Sequence, residues 1–158
     1  MGKVPTLVHG DVVVTEVGAI CAYLADAFPA AGLAPPVDSV ERGPYFRWLF
    51  FSAGCIEPAM VDRMFARPVP QRPGVIGYGT YQDTLDALAT ALTPGPFILG
   101  TRFSAADVFV AALIGWGLYM SAIEPRELFV EYSRRCSDRP AALRAAERDE
   151  RFRSELKK

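Results

Sequence analysis

The cysteine, histidine and aromatic side chains are where this 158-residue chain could do chemistry, and their spacing narrows what that chemistry is. Cys21, Cys55 and Cys136 are odd in number and far apart, with no CxxC pair. That pattern argues against a disulfide framework or a thiolate zinc site and suits a reducing cytoplasm. His9 is the only histidine, so neither a histidine-rich metal centre nor a Ser/His/Asp relay has its parts, and no metal is expected. Cys21 falls well inside a helical run, where it reads as a small buried hydrophobe. Tyr45, Trp48, Trp116 and Tyr119 could line a pocket for an apolar molecule, although aromatics at helical spacing also build cores. Glu16 stands at the start of a helix, where the dipole stabilises a carboxylate in the first turn. Ser104-Ala105-Ala106-Asp107 has the spacing of a capping box, which makes Ser104 and Asp107 folding determinants. Losing such a cap costs about 0.5–2 kcal/mol.

The elements that position these residues follow from periodicity and punctuation. Val4-Pro5-Thr6-Leu7-Val8-His9 is a short extended run, Gly10-Asp11 a turn signal and Val12-Val13-Val14 a second β-branched run. They predict a two-stranded hairpin with His9 solvated at its tip. Thr15 is then the expected N-cap, and Ile20, Tyr23, Leu24, Ala27 and Phe28 recur at helical spacing until Pro29 ends the helix. Residues 30–38 have a linker's composition, with one Gly and two Pro. Residues 39–67 predict one long helix, kinked at Pro58. A Pro- and Gly-rich loop over 68–79 follows, and then Tyr81, Leu85, Leu88 and Leu92 mark a clean stripe.

Beyond Thr93-Pro94-Gly95-Pro96 a short extended piece, Phe97-Ile98-Leu99, leads through Gly100 to the capping box. Residues 108–120 are apolar nearly all round, as a buried central helix is. Helices over 127–136 and 140–151 close the chain, with a frayed charged end at 151–158. The expected architecture is mostly α: a β-β-α unit over 1–29, a linker over 30–38 and an all-helical domain over 39–158.

Several function classes drop out on charge and hydropathy. The formal net charge is −1 and the 17 basic residues are scattered, so nucleic acid has no electrostatic footprint to bind. The longest apolar stretch, residues 108–123, falls short of the ~20 residues a membrane crossing needs. Asp107 and Glu124 bracket it. Lys3, Pro5, His9 and Asp11 near the start exclude the pattern of a secretory signal, and a cytoplasmic location is expected.

β-β-α, a proline-containing linker and an all-helical domain is the order found in cytosolic glutathione transferases after their first βαβ unit. Gly2-Lys3-Val4-Pro5-Thr6-Leu7 resembles the family segment that ends in a cis-proline, and Thr15-Glu16-Val17 resembles its Thr/Glu-Ser motif. The segment from Phe50 to Ala59 is similar to the first long helix of many bacterial members. Phe97-Ile98-Leu99-Gly100 through Ser104-Ala105-Ala106-Asp107 is similar to their N-capping box with its hydrophobic staple. Each motif alone is weak; their order and spacing over nearly the whole chain make the match.

The resemblance implies a helical glutathione transferase bundle preceded by a remnant of a thioredoxin-like domain. It also implies glutathione as co-substrate and an apolar electrophile as second substrate. Val4 would pair its backbone with the cysteinyl part of glutathione beside cis-Pro5, and Glu16 would take the glutathione amine. Val17 departs from the family: it keeps the helix N–H for the γ-glutamyl carboxylate but lacks the serine hydroxyl. One hydrogen bond to a charged group is worth roughly 1.5–3 kcal/mol, about ten- to a hundredfold in affinity. The family's thiol-activating Tyr, Ser or Cys lies upstream of the Val-Pro pair, and this sequence starts at that pair, so no catalytic residue is expected here and activity is expected to be absent or low. Family members dimerise, and a homodimer through the Gln82 and Asp86 side and the first long helix is expected. The competing expectations are a non-enzymatic interaction scaffold of the kind found in translation complexes and a truncated product whose true start lies upstream.

Overall fold

Gly10 makes the first reversal, and the regular elements after the second strand are helical. The computed structural model describes residues 2–68 and 72–156. The parts of the predicted loop and frayed end at 69–71 and 157–158 lie outside the described residues. Strands β1 (Thr6–His9) and β2 (Val12–Thr15) pair antiparallel, Leu7 opposite Val14 and His9 opposite Val12. Gly10 has φ +59°, which the primed turns of two-residue hairpins demand at their first position. His9 is exposed but engaged: its Nδ1 lies 2.9 Å from the Tyr23 hydroxyl, and its ring stacks on Phe28. The hairpin thereby rests on helix α1 (Val17–Ala27).

The start of α1 departs from expectation. Glu16, not Thr15, is the capping position, at φ 68° and ψ 121°, and its side chain makes no capping bond. That left-handed backbone is costly for a residue with a Cβ and is met mainly where function or packing imposes it.

The predicted single helix over 39–67 is three pieces: α2 (Arg42–Phe51), a wide π-type turn (Ser52–Ile56) and α3 (Glu57–Met64). Pro58 is the physical cause. It has no N–H to give and would clash with the carbonyl four residues back, so the backbone widens ahead of it. The Glu57 N–H reaches Ser52 O, five residues back, and the Ser52 hydroxyl donates to Trp48 O at 2.8 Å.

Helix α4 (Tyr81–Leu92) buries Leu85, Leu88 and Leu92 on the stripe read from the sequence. Helix α5 (Ala105–Tyr119) runs through the middle and buries Phe109, Val110 and Ile114. Helix α6 (Glu127–Ser137) buries Phe129, Tyr132 and Cys136 at successive turns. Helix α7 (Pro140–Leu156) continues past residue 151, where fraying was expected, and buries no residue.

The capping carboxylate does more than cap. Asp107 is fully buried and accepts four hydrogen bonds. They come from the Ile98 N–H at 2.7 Å and the Tyr132 hydroxyl at 2.9 Å on one oxygen, and from the Ser104 N–H at 2.8 Å and its hydroxyl at 2.9 Å on the other. Burial pushes the Asp107 carboxyl up from its ordinary range, while all four donors pull the other way. This one side chain ties the 97–100 turn, the start of α5 and α6 together.

The β-β-α unit is clamped to the helical part by charge and by backbone. Arg42 at the start of α2 forks onto Asp26 of α1 at 2.8 and 2.9 Å and reaches Pro35 O at 3.2 Å. The Ala105 N–H donates to Leu33 O at 2.7 Å, so the linker is pinned to the start of α5.

Candidate functional site

Where the hairpin and the start of α1 face α2, the π-type turn and α5, the chain leaves a cavity of about 870 Å³. One wall is Val4, Pro5 and Thr6 together with Thr15, Glu16 and Val17. The opposite wall is Phe46, Leu49, Phe50, Ala53 and Glu57, with Phe109 from α5 between them. The Val4–Pro5 peptide bond is cis.

The α1 end of the cavity presents free backbone donors. The first intrahelical bond runs from the Ile20 N–H to Glu16 O at 2.9 Å, so the N–H groups of Val17, Gly18 and Ala19 precede the hydrogen-bonded ladder. All three residues line the cavity. Free N–H groups and the helix dipole favour a carboxylate there. Glu16 stands beside them on its left-handed backbone and brings a carboxylate to the same end of the cavity. Gly18 sits tight against the opposite wall: a Cβ placed on it would stand 3.5 Å from Leu49 O and 3.6 Å from the Phe109 ring.

The structure brings Val4, Pro5, Glu16 and Val17 to one cavity, as the sequence places them in one motif set. It does not bring the four aromatic candidates there. Tyr45 and Trp48 are buried in the core and do not line the cavity. Trp116 and Tyr119 are exposed near the far end of α5, and Tyr119 is 84% exposed. The pocket aromatics are instead Phe46 and Phe50, neighbours in sequence of the core residues, and Phe109. Consecutive residues on a helix point about 100° apart, so tertiary packing decides that Tyr45 enters the core while Phe46 reaches the cavity.

Tyr45 carries a cost in the core: its hydroxyl is buried with no partner, and burial pushes its pKa up to about 12. Burial also raises the Cys21 and Cys55 thiols and pushes Cys136 up to about 12, which keeps all three protonated and poorly nucleophilic near neutrality. All three thiols are free. Among the described residues no group of three metal-ligating side chains converges, and no helix is long and apolar enough to cross a membrane.

Glu57 and Lys3 are charged residues at the cavity that the sequence reading did not single out. The signal for Glu57 was present: it extends the row of residues 46, 49, 50 and 53 along one face of the α2–α3 segment. On the expected dimer side, Asp86 is already bonded to Gln82 at 3.0 Å and to Arg126 at 2.8 Å within the chain.

The comparisons with known proteins agree on one family. The model of the glutathione S-transferase C-terminal domain matches residues 38–117, and that of the glutathione S-transferase N-terminal domain matches residues 1–34. The chain is 28% identical over 141 residues to glutathione S-transferase GstA of Escherichia coli O157:H7, covering 88% of this chain and 70% of that protein. It superposes with a TM-score of 0.73 and 32% identity on a glutathione transferase crystal structure from Methylococcus capsulatus, covering 91% of this chain and 72% of that one. A sphingomonad glutathione S-transferase solved with glutathione gives a TM-score of 0.72 at 30% identity, with 91% and 72% of the two chains covered. With a bacterial relative of known structure at 32% identity and both family models matching in sequence order, this chain belongs to the glutathione S-transferase family.

Proposed function

We propose that the cavity binds glutathione and that an apolar electrophile seats beside its sulfur. The γ-glutamyl carboxylate meets the N–H groups at the start of α1, its amine meets Glu16, and the cysteinyl backbone pairs with Val4 next to cis-Pro5. The electrophile packs on Phe46, Leu49, Phe50 and Phe109. The observation that carries this reading is the convergence of Val4, Glu16 and the unpaired N–H groups of α1 on one cavity.

The reaction class is nucleophilic substitution or addition. The glutathione thiol gives its proton to solvent and the thiolate forms a carbon–sulfur bond; in substitution a leaving group such as chloride departs with the bonding pair, and in addition the π pair moves to the neighbouring atom, which takes a proton from solvent. Lowering the thiol pKa takes a donor aimed at the sulfur; the described lining residues include no Tyr, Ser or Cys, and the hydroxyls there are those of Thr6 and Thr15. The absence of a Tyr, Ser or Cys among the described lining residues supports a chain that binds glutathione and conjugates it weakly or not at all.

Calorimetric titration with glutathione tests the binding, and a chlorinated nitrobenzene tests the chemistry. Millimolar or tighter binding with near-background conjugation is the expected pair of results. No binding at millimolar glutathione points instead to the non-enzymatic scaffold, and robust conjugation refutes the inactivity. A reducing cytoplasmic setting suits the three free thiols. The same reading includes a homodimer through the Gln82 and Asp86 side of α4 and the α2–α3 segment, where Phe50, and Phe65 just past α3, are 74% and 69% exposed. Light scattering that returns a monomer at micromolar concentration removes the dimer.

A further inference from the structure

We infer that Glu57 sets the charge preference of the second-substrate end of the cavity, selecting electrophiles that carry a cationic group and rejecting anionic ones. The inference rests on the glutathione reading above, because it takes the α1 end of the cavity as occupied by glutathione.

The charged residues lining the cavity are Lys3, Glu16 and Glu57. Lys3 and Glu16 lie on the hairpin and α1 wall, where glutathione binds in the proposed mode. Glu57 lies alone on the opposite wall. Gly18 at the α1 end abuts Leu49, and Glu57 is eight residues further along the α2–α3 segment, about 12 Å at a helical rise of 1.5 Å per residue. The wall between them, Leu49, Phe50 and Ala53, has no charged side chain. A molecule leaving the glutathione sulfur along that wall therefore meets apolar surface first and a carboxylate at its end.

Glu57 is also exposed, and its carboxylate makes no hydrogen bond or ion pair with another described residue. The other acid nearby is spent: Asp62 accepts the Tyr78 hydroxyl at 2.6 Å and an Arg67 guanidinium N–H at 3.0 Å. Asp62, Arg67 and Tyr78 line a second, more open cavity of about 590 Å³ that shares Ala53 and Glu57 with the first. Glu57 thus stands at the junction, where the tail of an elongated electrophile would pass. The π-type turn at Ser52–Ile56, forced by Pro58, sets the angle at which this residue enters.

S-substituted glutathiones test this without requiring turnover, because the glutathione part is common and cancels. The probes are S-benzylglutathione and its para-aminomethyl and para-carboxy derivatives, titrated by calorimetry at low salt. The expected result is about tenfold tighter binding of the ammonium than of the carboxylate derivative, with the neutral compound between them. That ratio should fall below about threefold in Glu57→Gln and invert in Glu57→Lys. Raising the salt should shrink the ratio in the unmodified protein, a readout that needs no variant to fold. A wild-type chain that binds all three equally overturns the role of Glu57 and leaves the glutathione site intact, as does a preference that survives in Glu57→Gln. Failure of S-benzylglutathione and glutathione alike to bind overturns the glutathione reading itself.

Discussion

Replacing Asp107 separates a helix cap from a structural hub, because the two roles differ in magnitude. A cap alone is worth about 0.5–2 kcal/mol. In the structure the carboxylate also holds the Ile98 N–H at 2.7 Å and the Tyr132 hydroxyl at 2.9 Å, both in the buried core. Asp107→Ala leaves the Ile98 and Ser104 N–H groups without an acceptor, at about 1–3 kcal/mol for each buried donor. The two hydroxyls can rotate to other acceptors and are counted as nothing. Adding the void left by the side chain, the expected loss is about 4 kcal/mol, a large part of the 5–15 kcal/mol of a typical domain. Asp107→Asn keeps the shape and one acceptor oxygen, so it should cost roughly half as much, about 2 kcal/mol. Urea denaturation followed by far-ultraviolet circular dichroism measures both, read as midpoint shifts at constant slope. A loss under about 1 kcal/mol for Asp107→Ala would refute the hub and leave only the cap.

Four further outcomes follow from the same coordinates. Val17→Ser restores a hydroxyl at the start of α1 and should tighten glutathione about tenfold by titration, with Val17→Ala as the control that changes nothing. Tyr45→Phe removes the unpaired buried hydroxyl and should leave the melting temperature unchanged or raise it, whereas a Tyr at full satisfaction would lose about 1 kcal/mol. Gly95→Ala drives a Cβ to 2.7 Å from Gly100 O, a backbone atom that cannot step aside, and should cost about 2 kcal/mol or more in the same denaturation assay. The Arg42 guanidinium bonded to Asp26 holds that carboxyl below its ordinary range. Its stabilisation is therefore present above the unfolded-state value near 4 and lost as pH falls through the lower folded value. Asp26 is 44% exposed, so Asp26→Asn should cost only about 0.5 kcal/mol at neutral pH, and the gap to wild type should close in acid.

Much of the fold was legible because it is written in local signals. The hairpin needed only two β-branched runs around Gly10, and α4 needed only its stripe of Tyr81, Leu85, Leu88 and Leu92. The family motifs were legible for the same reason: Val4-Pro5 and Glu16-Val17 are contiguous pairs whose order survives without a third dimension. The π-type turn was half legible. Pro58 announces an irregularity, but the sequence does not say that the backbone absorbs it by widening ahead of the proline rather than bending at it. The position of Glu16 was misread by one residue, because a left-handed backbone at a non-glycine residue is a tertiary imposition that no propensity favours.

By itself the sequence determined the order of the elements and the residue that caps α5, since each depends on neighbours within a turn or two. Only the tertiary structure decided which aromatics face the cavity. Tyr45 and Phe46 have equal claims on periodicity; the packing of α1 and α5 against α2 sent Tyr45 inward and left Phe46 to line the cavity with Leu49 and Phe50. The same long-range packing placed Glu57 at the junction of two cavities and Asp26 opposite Arg42. Contacts between residues far apart in the chain depend on how whole helices are oriented, and that orientation is settled by the total burial of the core rather than by any local spacing.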